Sequence, residues 1–148
     1  MLGKNGHDVE LWSALPQEIE MIQTHRELID KLPGVKIPDN VVATSDLEAT
    51  CKDKDLLVFA VASPYVRQTA KNAKQYIKDG QLIVNVGKGI EADTLDTLTD
   101  IIEEEIPQCE IAVLSGPSHA EEVSRDIPTS CVVGAKSKKS ALLIQDIF

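Results

Sequence analysis

Hydrophobic positions along the chain alternate between two textures. Short, unbroken apolar runs occur at Val9 to Trp12 (VELW), Leu56 to Val61 (LLVFAV), Leu82 to Val86 (LIVNV) and Ile111 to Leu114 (IAVL). Between them lie longer stretches in which apolar residues recur at helical spacing among charges: Gln17 to Leu32, Val66 to Lys78 and Leu95 to Ile106. Leu32-Pro33-Gly34 marks the end of the first of these, because Pro and Gly punctuate helices. Val41 to Ala43 predicts a second short strand, followed by a helix with Ser45 as N-cap and Glu48 three residues on. Thr129 to Val133 predicts one more strand, and Ser137 to Phe148 a final helix. Runs without inside–outside alternation suit strands covered on both faces, and their regular exchange with helices predicts a doubly wound, mostly parallel α/β sheet.

Composition narrows the class. Fifteen Lys+Arg against 24 Asp+Glu give a net charge of −9 over 148 residues, which argues against a nucleic-acid backbone as partner. It does not exclude a phosphorylated small molecule, because a pocket can be positive on an acidic protein. No run approaches the roughly 20 apolar residues of a membrane span. The N-terminus, MLGKNGHDVELW, lacks the apolar core of a signal peptide. Cys51, Cys109 and Cys131 are scattered and odd in number, a pattern suited to a reducing compartment, so a cytoplasmic location is expected.

Ligands of open α/β sheets bind beyond the carboxyl ends of the strands, so the residues after each strand carry the candidate chemistry. LLVFAV is followed by Ala62-Ser63-Pro64-Tyr65, where Ser63 can cap a helix and Pro64 suits its first position. Tyr65 reads either as a packed residue of an ordinary helix start or as a ligand-facing ring. LIVNV is followed by Gly87-Lys88-Gly89, and a lysine between glycines is either a solvated loop residue or a point charge for phosphate or a polarised carbonyl. IAVL is followed by Ser115-Gly116-Pro117-Ser118-His119-Ala120-Glu121. There Ser118 and Glu121 form an S-x-x-E capping box, and Gly116 and Ala120 leave the backbone approachable. Together the three ends predict a binding crevice. His119 reads as a partly buried ring in the first helical turn more readily than as an acid or base. Glu103 to Glu105 and Lys136, Lys138 and Lys139 read as solvated surfaces, and no metal site is expected at His7, His25 or elsewhere.

The segments KNGHDVELW, LPGVKIPDNVVATSDLEA, VNVGKGIE, LSGPSHAEEV and RDIPTSCVVGA, in this order, closely resemble the N-terminal half of NAD(P)-dependent glycerol-3-phosphate dehydrogenases. The resemblance runs along essentially the whole chain. It implies a Rossmann-like fold and a reversible hydride transfer between nicotinamide and the dihydroxyacetone phosphate/glycerol 3-phosphate pair, in glycerol-3-phosphate metabolism and phospholipid biosynthesis. It further implies that Lys88 contacts both cofactor and substrate, that Gly116 and Ser118 border the substrate, and that Ala14, Tyr65 and Ala120 lie on the cofactor. Lys88 would hold phosphate or stabilise charge developing on the carbonyl oxygen.

The family opens with a strand and a glycine fingerprint, whereas Met1 to His7 match the end of the helix that follows it. The expectation is therefore a partial NAD(P)-binding domain over residues 1–148, with the first strand missing, two interior sheet edges unpaired and self-association favoured. The family's helical substrate domain, which carries its proton-transferring lysine, would lie beyond residue 148, so no catalytic residue of that kind is expected here and the chain alone is expected to be inactive. Ser13-Ala14-Leu15-Pro16 offers no arginine for a 2′-phosphate and Glu18 and Glu20 are near, which leans towards NAD over NADP. No acid follows Trp12 to grip a 2′-hydroxyl. His119 stands where the family often has phenylalanine, and Ala62 where it often has proline. The competing reading is a non-catalytic nucleotide- or phosphate-binding or assembly module.

Overall fold

A computed structural model describes residues 1–148. The chain forms two compact units. The first comprises Met1–Thr50, Ser118–Thr129 and Ile147–Phe148, and the second Cys51–Pro117 and Ser130–Asp146.

In the first unit, β1 (Val9–Trp12), α1 (Pro16–His25) and β2 (Val41–Thr44) make a parallel crossover, with Val9 opposite Val41 and Trp12 opposite Thr44. Pro16 sits at the first turn of α1, where a missing N–H costs nothing. Ile19 and Ile22 pack on Ala43, with Leu11, Leu28 and Ile37 against them. The expected helix over Gln17 to Leu32 is too long: α1 stops at His25 because Arg26 turns left-handed, φ 52°. The Arg26 guanidinium then donates to the carbonyls of Ile37, Pro38 and Val41. Those contacts hold the loop back against β2, which residues continuing a helix could not do. The next helix, α2 (Leu47–Cys51), is capped by Asp46 and not by Ser45: the Asp46 carboxylate accepts from the Ala49 N–H at 3.0 Å.

The second unit holds a four-stranded sheet in the order β3 (Leu57–Phe59), β4 (Leu82–Asn85), β5 (Glu110–Ser115), β6 (Val132–Ala135). The first three are parallel. The sixth strand lies three residues beyond the predicted Thr129 start and runs antiparallel to β5, after a connection over residues 116–131 that contains a short helix, Ala120–Ser124. All four residues of β4 are buried, as its unbroken apolar pattern requires of a strand covered on both faces. One turn of 3-10 helix over Ser63–Tyr65 leads into α3 (Val66–Ala73), whose Val66, Ala70 and Ala73 form the buried stripe. The helix expected through Lys78 instead ends in a further 3-10 turn at Lys74–Tyr76. Likewise α4 (Leu98–Glu105) begins three residues late, where Thr97 caps the Asp100 N–H; Leu95 itself is left-handed, φ 64°.

Two further helices complete the chain: α5 (Ala120–Ser124) in the first unit, and α6 (Lys138–Ile147), which is started by the Ser137 hydroxyl accepting from the Ser140 N–H. No helix is long and apolar enough to cross a membrane. The α/β architecture with mostly parallel sheets is as expected. The sheets are a parallel pair, β1–β2, and a four-stranded run, β3–β4–β5–β6. β1 ends one sheet and β3 ends the other, with no strand hydrogen-bonded beyond either.

Candidate functional site

The chemistry concentrates at the carboxyl ends of β3, β4 and β5 in the second unit. β4 terminates in Asn85, a buried polar residue whose amide folds over the turn after it. Its Oδ1 accepts from the Gly87 N–H at 3.1 Å and its Nδ2 donates to the Gly87 carbonyl at 3.2 Å. Gly87 is crowded, since a Cβ would stand 3.1 Å from the Val61 carbonyl oxygen and 3.3 Å from Leu98. Gly89 has φ +123°, a conformation that side chains rarely adopt, and would press a Cβ to 3.1 Å from Ser63. Between them Lys88 is exposed, and its Nζ donates to the Gly116 carbonyl, just past the end of β5, at 3.0 Å. An ammonium carries three donors and can turn them to a phosphate or carbonyl oxygen.

The 3-10 turn at Ser63–Tyr65 lies against this turn through Ser63. Ala62, not Ser63, takes the cap position, and no side chain caps there. Tyr65 is 66% exposed, so the packed-tyrosine reading does not hold: its ring stands on the surface. Gly116 is the most crowded of the glycines, since a Cβ would fall 2.4 Å from the Ser130 carbonyl oxygen.

The remaining candidates, Ala14, Ser118 and Ala120, belong to the first unit. The predicted Ser118–Glu121 capping box is absent. α5 starts at Ala120 with extended His119 as its N-cap and no side-chain cap bond, because the His119 carbonyl takes the Glu122 and Val123 N–H groups. His119 is exposed, so the reading as a partly buried ring in the first turn is also corrected. Ala14 is exposed in the turn after β1, where the buried Ser13 hydroxyl accepts from the Leu15 N–H and donates to Glu18. Glu18 is ion-paired with Lys31. Burial raises its carboxyl, but the hydrogen bonds from Lys31 and Ser13 outweigh this and hold it below its ordinary value.

Sequence reasoning missed a cluster beside the lysine turn. Glu104 and Glu105 are not simply solvated: both accept from Arg67 of α3, which also forms a two-pronged pair with Glu91. Hydrogen bonds from Arg67 and Thr94 hold the Glu91 carboxyl down at about 2. Glu103 pairs with Lys136. Asn85 had a visible signal, a lone amide in an apolar strand, whereas Arg67 had none. Gly87-Lys88-Gly89-Ile90-Glu91-Ala92 also spells G-x-G-x-x-A. No helix opens directly after it, since Ile90 bridges to Thr97 and α4 waits until Leu98, so it is not a pyrophosphate turn of the helix-opening kind.

Comparison with known proteins gives a consistent picture. The family described as the NAD-dependent glycerol-3-phosphate dehydrogenase N-terminus matches residues 1–141. A glycerol-3-phosphate dehydrogenase (NAD(P)+) of Agathobacter rectalis is 51% identical over all of this chain and 44% of its own length. One from Fusobacterium nucleatum is 48% identical, over all of the chain and 45% of the relative. The chain thus spans less than half the length of these curated relatives. The crystal structure of a glycerol-3-phosphate dehydrogenase from Coxiella burnetii superposes with a TM-score of 0.91 over 99% of this chain and 45% of that one, at 24% identity. That likeness establishes the Rossmann-like fold.

Proposed function

Because the chain belongs to the NAD-dependent glycerol-3-phosphate dehydrogenase family through that family's N-terminal domain, we propose that the protein interconverts dihydroxyacetone phosphate and sn-glycerol 3-phosphate with NAD or NADP. The observation that carries the proposal is the Lys88 ammonium held 3.0 Å from the Gly116 carbonyl at the ends of adjacent parallel strands.

The residues at these strand ends fit a phosphorylated ligand. Two glycines bare the backbone, a lysine supplies the donor, and Tyr65 offers an exposed ring face on the β3 side. When bound, the nicotinamide supplies or accepts the hydride. Lys88 donates to the substrate carbonyl oxygen as negative charge grows on it, or to the phosphate, and its anchorage on Gly116 limits how far the ammonium must reorganise. Gly116 and Ser118 are the proposed substrate-bordering residues. Ala14, Tyr65, Lys88 and Ala120 are the proposed cofactor contacts; Lys88 and Ala120 stand in the segments VNVGKGIE and LSGPSHAEEV, and Ala14 and Tyr65 follow from the family resemblance alone. The turn Ser13-Ala14-Leu15-Pro16 itself carries no arginine or lysine for a 2′-phosphate, which favours NAD, although Lys31 reaches Glu18 beside it.

The test is oxidation of NADH and NADPH by dihydroxyacetone phosphate, measured on the natively produced protein. Turnover should be faster with NADH, and Lys88→Ala should lower kcat/KM by about 10²–10³-fold, the usual loss of an oxyanion donor. Reduction of a different 2-keto compound with dihydroxyacetone phosphate ignored would refute the substrate. Saturable NADH binding without any turnover would establish a binding module instead.

A further inference from the structure

The Arg67 cluster is not used by the chemistry above, yet it grips the segment that carries Lys88. Arg67 is the second residue of α3, with its side chain 22% exposed. Its Nε and Nη2 each donate to Glu91 at 2.7 Å, and Nη1 donates to Glu104 at 2.8 Å and Glu105 at 2.5 Å. Glu91 also accepts from the Thr94 hydroxyl at 2.8 Å. Glu104 and Glu105 already tie α3 to α4. Glu91 does something different, because it lies three residues after Lys88. Only Gly89 and Ile90 stand between, and Gly89 at φ +123° is a pivot that costs little to rotate. Upstream of Lys88 the turn is fixed by Asn85 on Gly87. Downstream, the backbone beyond the pivot is bridged from Ile90 to Thr97 and from the Glu91 N–H to the Asp96 carbonyl, and the planar fork of Arg67 adds on Glu91 a side-chain anchor whose geometry specifies direction as well as distance.

We propose that Arg67 and Glu91 are positioning residues for Lys88: their two-pronged pair fixes the far end of the Gly-Lys-Gly turn so that the ammonium is presented at the end of β5. This rests on the role given to Lys88 above. Lysine at position 67 would keep the charge and lose the fork, so Arg67→Lys should behave like Glu91→Gln rather than like the parent.

The experiment is a double-mutant cycle of Glu91→Gln and Lys88→Ala in the natively produced protein, reading kcat/KM for dihydroxyacetone phosphate. Glu91→Gln should lower it about tenfold when Lys88 is present and leave it unchanged in the Lys88→Ala background, the non-additivity expected of coupled neighbours. Equal fold-losses in both backgrounds would show a general structural role and overturn the proposal. Hydrogen exchange at the Gly87–Ile90 amides supplies the independent readout. It should quicken about tenfold in Glu91→Gln while β4 stays protected, and unchanged exchange also overturns the proposal. If Lys88→Ala retains full activity, the role given to Lys88 fails, and the exchange result alone decides whether the pair positions the turn. Should Glu91→Gln not fold, Arg67→Lys takes its place in both measurements.

Discussion

Gly116→Ala is the substitution for which the structure sets the sharpest expectation. A methyl at this position would lie 2.4 Å from the Ser130 carbonyl oxygen and 3.0 Å from the Cys131 Cα, about 1 Å inside ordinary contact for the oxygen. Both neighbours are backbone, so no rotamer change can relieve the overlap. Either β5 or the segment leading into β6 must move, and the last rung of their ladder, Ser115 opposite Val132, lies next to the clash. Overpacking of this kind costs about 1–3 kcal/mol, and an unyielding partner places it at the upper end. With a urea slope of about 2 kcal/mol per molar, the unfolding midpoint of the 148-residue chain should fall by about 1–1.5 M. Gly134→Ala is the internal control. Its Cβ would meet only the Val113 Cγ1, at 3.0 Å, a methyl that can turn aside, while alanine in a strand regains about 0.5 kcal/mol over glycine. Its midpoint should therefore stay within a few tenths molar of the parent. Equal midpoints for the two variants, read by far-ultraviolet circular dichroism, would refute the argument that backbone contact at Ser130 is what demands glycine.

Two other consequences come from the same geometry. The Glu91 carboxyl is lowered from 4.5 to about 2 by its hydrogen bonds from Arg67 and Thr94. A carboxyl depressed on folding contributes stability that is present above its unfolded value and lost as pH falls through its folded one. Urea midpoints of the parent and Glu91→Gln should therefore differ by a constant amount above about pH 5 and converge towards pH 2; a pH-independent difference would contradict the pairing. The unpaired edges of β1 and β3 favour strand addition from another copy of the chain. Sedimentation velocity of the 148-residue chain should show mass rising with concentration, and a monomer at every concentration would count against edge pairing.

The strands and the turns directly after them are legible in the amino-acid order. β1 is VELW as predicted, β4 and β5 fall within a residue of their apolar runs, and the Gly-Lys-Gly turn stands just past β4, because alternation, burial and glycine conformation are properties of a few consecutive residues. The family resemblance rested on the same contiguous strings. Whatever depends on a distant partner was settled only in the folded chain. α1 stops at His25 because Arg26 finds carbonyls between Ile37 and Val41. The surface glutamates 104 and 105 become ligands of Arg67, 37 and 38 positions away. β6 runs antiparallel to β5 after a connection that contains α5, a pairing that no local pattern announces. A cap competes with its neighbours over single hydrogen bonds, which is why Asp46 displaces Ser45, while α5 starts from His119 with no side-chain cap bond. Long polar side chains choose among acceptors that only the folded chain brings within reach, and no local period in the sequence encodes that choice.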